Sequence, residues 1–314
     1  MTDTDVPPPA RRERWAGFGF LLIAIVWGGT FPVVKDLVER VPPHALVAAR
    51  FGLAWLVLSG WAWHKRQAWG PGLLRAGVLA GLILWGGFFT QTLGLQYTSA
   101  SKAGFITALN VVFVAVMAAL FLGKRSGPRT WAGVAVATVG LAVLSLDFSE
   151  GLQGLRPQIG DLLVLLCAVL FAAHIVVVDQ LAPRFDPVLL AWVQMGTAGA
   201  VAGASAWAVD GGLPGVLAPA NAVPLLYLGL LATAGALLAQ VSLQRFVAPA
   251  RVGLILSLEP VFAALFAWML LGERLAPSGW AGGALVLAGV VLAELDAAQQ
   301  TAARQVAGKP ARTP

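Results

Sequence analysis

Charge is what this sequence has least of. Only 11% of its 314 residues are Asp, Glu, Lys or Arg, against about 25% in ordinary soluble proteins. So few ionised groups exclude an ordinary water-facing globule. The single cysteine, Cys167, excludes an internal disulfide and a cysteine zinc cluster. The three histidines, His44, His64 and His174, lack metal-ligand spacing, so no metal site is expected. Phosphate-binding loops, cofactor motifs and nucleophile–base sets are also missing, and no cofactor is expected. The net charge of +6 sits in turns and tails, which points to a bilayer rather than to nucleic acid.

What the chain has in abundance is apolar sequence, 58% of its residues. Apolar runs of about 20 residues recur, each long enough to cross about 30 Å of hydrocarbon. The pattern predicts an all-α polytopic membrane protein with ten transmembrane helices. They are placed at 16–37, 43–63, 73–95, 99–122, 129–147, 159–181, 187–208, 222–244, 250–271 and 277–295. The polar stretch 1–15 carries Arg11, Arg12 and Arg14 and is weakly similar to a twin-arginine signal. No small-residue cleavage site follows convincingly, so it is read as a tail.

One stretch occurs twice. Lys102–Leu144 matches Arg251–Ala293 at a shift of 149 residues. Phe113 falls on Phe262, Arg125 on Arg274, Pro128 on Pro277, and Trp131-Ala132-Gly133 on Trp280-Ala281-Gly282. Spans one and two match spans six and seven at a shift of 144, placing Arg40 on Arg184 and Pro43 on Pro187. The chain thus divides into a tail 1–15, a repeat 16–147, a linker 148–158, a repeat 159–296 and a tail 297–314.

Five spans per repeat is odd, so the second copy enters the membrane inverted. Fifteen Lys and Arg then face one side and five the other, with Arg50 left inside a span. The richer side is expected to be cytoplasmic and to carry both termini. Inverted repeats of this kind are expected in secondary transporters, with the substrate site near the midplane.

These residues resemble the EamA family of the drug/metabolite transporter superfamily. The resemblance is carried by Trp27-Gly28 with Phe31, by Ala49-Arg50-Phe51, and by Leu258-Glu259-Pro260-Val261-Phe262. Leu271-Gly272-Glu273-Arg274 with Trp280-Ala281-Gly282 is the most diagnostic part. It implies two inverted five-helix repeats moving small metabolites, often outward, across the cytoplasmic (inner) membrane. The first repeat departs from the pattern, with Asn110-Val111 where the second has Glu259-Pro260. Span one has no acid between Trp15 and Lys35, so proton antiport by a first-span glutamate, as in the related small multidrug transporters, is in doubt.

Polar and aromatic residues deep within spans are the candidate substrate contacts: Trp27, Trp85, Phe89, Gln91, Asn110, His174 and Gln240. Gln91 and Gln240 are equivalent in the two repeats, as are Asn110 and Glu259. Glu259 and His174 are candidates for proton coupling or gating, but Glu259 is more readily read as bracing a helix kinked at Pro260, and His174 equally as a hydrogen bond between helices. Arg50 could bind an anionic substrate, but it is more readily read as snorkelling or pairing with Asp36 or Glu39. Gly133 with Gly140, Gly282 with Gly289, Gly77 with Gly81, and Gly199 with Gly203 are expected to form close-packing faces.

The expected function is secondary transport of a small neutral or zwitterionic molecule such as an amino acid, outward and by alternating access. The expected partners are that substrate and the lipid bilayer; no nucleic acid is expected, and a monomer is compatible. A proton-coupled drug or metabolite efflux carrier is the alternative. An embedded enzyme is disfavoured, because Asp161 and Asp179 sit at opposite ends of span six, about 27 Å apart at 1.5 Å per residue. No filter-like loop suggests a channel, while no feature separates a carrier from a scaffold.

Overall fold

The computed structural model describes residues 9–121, 127–145, 158–243, 246, 252 and 255–307. Lys124, Arg125, Arg156, Arg245, Arg251 and most of the 148–158 linker lie outside these residues. The described residues are all helical, with no strand among them.

The first half contains α1 (Pro9–Leu37), α2 (Pro43–His64), α3 (Leu73–Gly94), α4 (Ala100–Thr107), α5 (Asn110–Phe121) and α6 (Pro128–Ser145). The second contains α7 (Ile159–Leu181), α8 (Pro187–Asp210), α9 (Pro219–Leu226), a π-helical segment (Tyr227–Gly235), α10 (Ala236–Leu243), α11 (Glu259–Leu271) and α12 (Pro277–Ala307). Prolines open α2, α6, α8 and α12, where a missing N–H costs nothing. Asp186 caps α8 by accepting from the N–H groups of Val188 and Leu189. Helix α1 begins seven residues before the expected span, and α12 runs past it to Ala307, so both tails contain helical extensions.

Seven segments are long and apolar enough to cross a membrane, among the described residues: 14–37, 43–64, 73–94, 100–121, 159–181, 187–210 and 219–240. Three shorter apolar helices accompany them, at 128–144, 259–271 and 277–293. Eight of the twelve tryptophans are exposed, including Trp61, Trp63, Trp131, Trp207, Trp268 and Trp280 near helix ends. Amphipathic indole rings belong at that level of a bilayer. The exposed Leu79, Leu82, Leu230 and Leu231 lie between such levels, where lipid tails cover them.

The two halves pack as a pseudo-twofold pair. Equivalent helices meet each other, α2 with α8 and α6 with α12, while α4 of the first half meets α11 of the second. The remaining contacts exchange under the same relation. Helix α1 packs on α11 as α7 packs on α4 and α5, and α3 packs on α8 as the π segment packs on α2. The self-pairs are antiparallel, because Gly133 meets Gly289 while Gly140 meets Gly282. Likewise Gly52 meets Gly199, and Gly196 meets Trp55.

These glycines meet backbone. A Cβ on Gly133 would lie 2.5 Å from the Gly289 carbonyl oxygen, and one on Gly289 would lie 2.5 Å from that of Gly133. Gly77 instead receives the Val193 side chain, and Gly81 meets the Thr197 side chain and the Gln194 backbone, all on α8. Gly203 is an exception to the expected close-packing faces. A Cβ there meets nothing within 4 Å.

Candidate functional site

The segments expected as the fourth and ninth spans are both broken, at equivalent places. Helix α4 ends at Thr107, two turn residues follow, and α5 starts at Asn110. In the second half Ser257 and Leu258 form the turn and α11 starts at Glu259. The backbone repeats the same bonds at both sites. Leu109 N–H donates to Ile106 O at 3.1 Å, as Leu258 N–H does to Ile255 O. Phe113 N–H donates to Leu109 O at 3.0 Å, as Phe262 N–H does to Leu258 O at 3.1 Å. Pro260 has no N–H to continue a ladder, which explains the second break. The first occurs without a proline. Asn110 and Glu259 therefore occupy the first position of two half-helices, where a carboxylate is favoured by the helix dipole.

Polar side chains gather around these breaks. Gln91 of α3 is buried and donates through Nε2 to Thr107 Oγ1 at 3.2 Å. Cys167 of α7 is fully buried. Across the pseudo-twofold, Trp27 Nε1 donates to Ala232 O at 2.9 Å, fixing α1 on the π segment. Tyr227 Oη donates to Val26 O at 2.5 Å and does the same one turn away.

Arg50 departs from its expected role. Asp36 is taken by Arg40, with a 3.1 Å bond from Nη1 to Oδ1 and a second bond from Nη2 to Oδ2. That carboxylate raises the Arg40 guanidinium above its ordinary pKa. Neither Asp36 nor Glu39 bonds Arg50. Instead Arg50 turns inward, is 4% exposed, and donates through Nε to Thr233 Oγ1 at 2.7 Å. Its guanidinium carbon lies 4.4 Å from the centre of the Phe88 ring. Glu259 and Tyr227 are within its electrostatic reach.

The other sequence-predicted residues fall in separate groups. Trp85 stacks on Phe89 with centroids 5.7 Å apart, and Phe89 stacks on His44 at 4.3 Å. Trp85 Nε1 and His44 Nδ1 are buried without a hydrogen-bond partner among the described residues. His174 Nε2 lies 2.6 Å from Gln194 Oε1, tying α7 to α8. Gln240 is half-buried in α10, beside the cluster of Phe20, Ile23 and Ala236. No group of three His, Cys, Asp or Glu could hold a metal ion among the described residues.

Thr107, Thr233, Gln194 and His44 were missed by sequence reasoning. Gln194 was within reach of it, because it stands at the position of Arg50 under the 144-residue shift. Threonine and a histidine near a span end carry no comparable signal.

An open pocket of about 370 Å³ lies at one end of the bundle rather than at its middle, lined by Lys35, Gln96, Thr98, Lys102, Gln158 and Glu273. Its walls tie the halves together. Glu273 accepts from Ala100 N–H at 2.9 Å and from Ser101 N–H at 3.1 Å. Buried Asp161 accepts from Thr98 Oγ1 at 2.5 Å and pairs with Lys102 at 3.8 Å. Lys35 Nζ donates to Leu95 O at 2.7 Å.

The sequence pattern of the EamA-like transporter family matches residues 14–146 and again 158–295. The chain belongs to the EamA-like transporter family. It is 33% identical over 288 residues to an uncharacterized transporter of Archaeoglobus fulgidus, covering 90% of this chain and 87% of that protein. It is 29% identical over 293 residues to YedA, an uncharacterized inner membrane transporter of Escherichia coli, covering 88% of this chain and 90% of that one. A solved crystal structure has the same fold, with a TM-score of 0.62 at 19% identity, over 92% of this chain and 99% of its own. As an EamA-like protein this chain is a membrane transporter, and the family's two repeats are the two halves that pack reciprocally.

Proposed function

We propose that this EamA-like protein is a secondary carrier for neutral or zwitterionic, amino-acid-like molecules, working outward by alternating access. In this reading the seven long and three short apolar helices make ten spans, two inverted repeats of five. The repeats fill 16–147 and 159–296, and both termini are cytoplasmic. Substrate sits near the broken spans, contacted by Trp27, Trp85, Phe89, Gln91, Asn110, His174 and Gln240, with Glu259 or His174 as a gate. Export is the direction that the family resemblance implies.

The observation that carries this reading is the balance of groups around the two breaks. Among the described residues, one guanidinium, one carboxyl, amides, hydroxyls and aromatic faces stand there, with no surplus of either charge. A carrier of sugar phosphates would need several Lys or Arg for a group bearing close to two charges. A carrier of lipophilic cations would need an uncompensated carboxylate within an aromatic cage.

Purified protein in liposomes is expected to move neutral amino acids saturably. Trp85→Ala is expected to lower that flux about three- to tenfold, the loss of one stacked aromatic pair. Gln240→Ala should lower it too, with both variants still folded. Transport of a phosphorylated or cationic compound with neutral amino acids ignored would overturn the substrate class.

A further inference from the structure

Arg50 is the least explained group in the bundle. A buried guanidinium costs several kcal/mol of lost hydration unless it is fully paired. Here only Nε is spent, on Thr233. Thr233 uses its own proton on Leu228 O at 2.7 Å, so its oxygen is left to accept from Arg50. Thr233 lies in the π segment, where an i→i+5 pattern alters which side chains face inward. Among the described residues no acceptor is bonded to the two terminal nitrogens of Arg50, and no carboxylate forms an ion pair with it.

This arrangement also occurs once, not twice. At the equivalent positions of the other half stand Gln194 in place of Arg50 and Leu84 in place of Thr233. Helix α3, which carries Leu84, is regular α-helix. A buried guanidinium whose terminal nitrogens have no bonded acceptor among the described residues, in one half only, is suited to one bound anionic group.

We propose that Arg50 binds the substrate's carboxylate through its two terminal nitrogens. Thr233 and the Phe88 ring hold the guanidinium in place from behind. A planar guanidinium offers a carboxylate two parallel hydrogen bonds, which an ammonium cannot match. The inference rests on the amino-acid reading above and names the residue that selects for it.

The test uses the full chain in liposomes with leucine and leucine amide, which differ in the carboxylate. The intact protein is expected to carry leucine at least about tenfold faster than the amide, the worth of one charge-assisted hydrogen bond or more. Arg50→Gln is expected to lose that preference by raising the KM for leucine about tenfold while amide flux is unchanged, and Arg50→Lys to retain part of it. Equal transport of leucine and the amide by the intact protein overturns the assignment without any variant. So does an Arg50→Gln protein that carries leucine like the parent, or that loses both compounds together with its melting temperature, as loss of a mere brace would. If the intact protein moves neither compound, the amino-acid reading itself fails and this inference falls with it.

Discussion

Gly140→Ala should lower the melting temperature of the detergent-solubilised protein by several degrees, while Gly203→Ala leaves it unchanged or slightly higher. At Gly140 the added methyl would stand 2.6 Å from Val286 N and 2.8 Å from Gly282 O. Both are backbone atoms of α12, so no side chain can swing aside, and the helices must separate. Overpacking of this kind costs about 1–3 kcal/mol. Water does not drive helices together within lipid, where close van der Waals approach does most of that work. At Gly203 the methyl enters open space, and alanine is the better helix former by about 1 kcal/mol. Tryptophan fluorescence during heating reads both. An unshifted Gly140→Ala protein would mean that α6 and α12 are not in backbone contact.

Glu273→Ala should open the end of the bundle that carries the charged pocket. Its carboxylate reaches from one repeat to the helix start of the other, taking the N–H groups of Ala100 and Ser101 and the Ser101 hydroxyl. Ser99 takes the next one, from Lys102 at 3.1 Å, so the first turn of α4 is fully satisfied only with Glu273 present. Removing a cap of this kind costs about 1–2 kcal/mol, roughly a tenfold shift between closed and open populations. The interlock has no acidic counterpart at the other end, since Gly17 and Lys124 stand where Asp161 and Glu273 stand here. A cysteine at Thr98 in a Cys167→Ala background should react with a soluble maleimide about tenfold faster once Glu273 is alanine. Equal rates would show that the carboxylate closes nothing.

The repeat was the most legible feature. The 149-residue shift announced that the last two helical hairpins match, and the structure pairs them residue for residue through Gly133, Gly140, Gly282 and Gly289. Prolines 43, 128, 187 and 277 marked helix starts because their chemistry is local. The broken spans were only half legible. Pro260 pointed to a kink in the ninth span, but nothing in Ala108-Leu109 betrays the same turn in the fourth. There the tertiary symmetry, not local propensity, sets the backbone. Arg50 was misread because neighbours in sequence suggested Asp36, whereas its partner Thr233 is 183 residues away. The π segment that presents Thr233 has no composition of its own, being as apolar as an ordinary span.

The central claim is that the two repeats lie inverted in the bilayer, and cysteine labelling in cells tests it most directly. With Cys167 replaced by alanine, single cysteines go in at Ser126 and at Ser278, in the matching turns of the two repeats. An impermeant maleimide should label the Ser278→Cys protein in intact cells and the Ser126→Cys protein only after the membrane is opened. Labelling of both from the same side would contradict the inverted arrangement and, with it, the alternating-access carrier built on it.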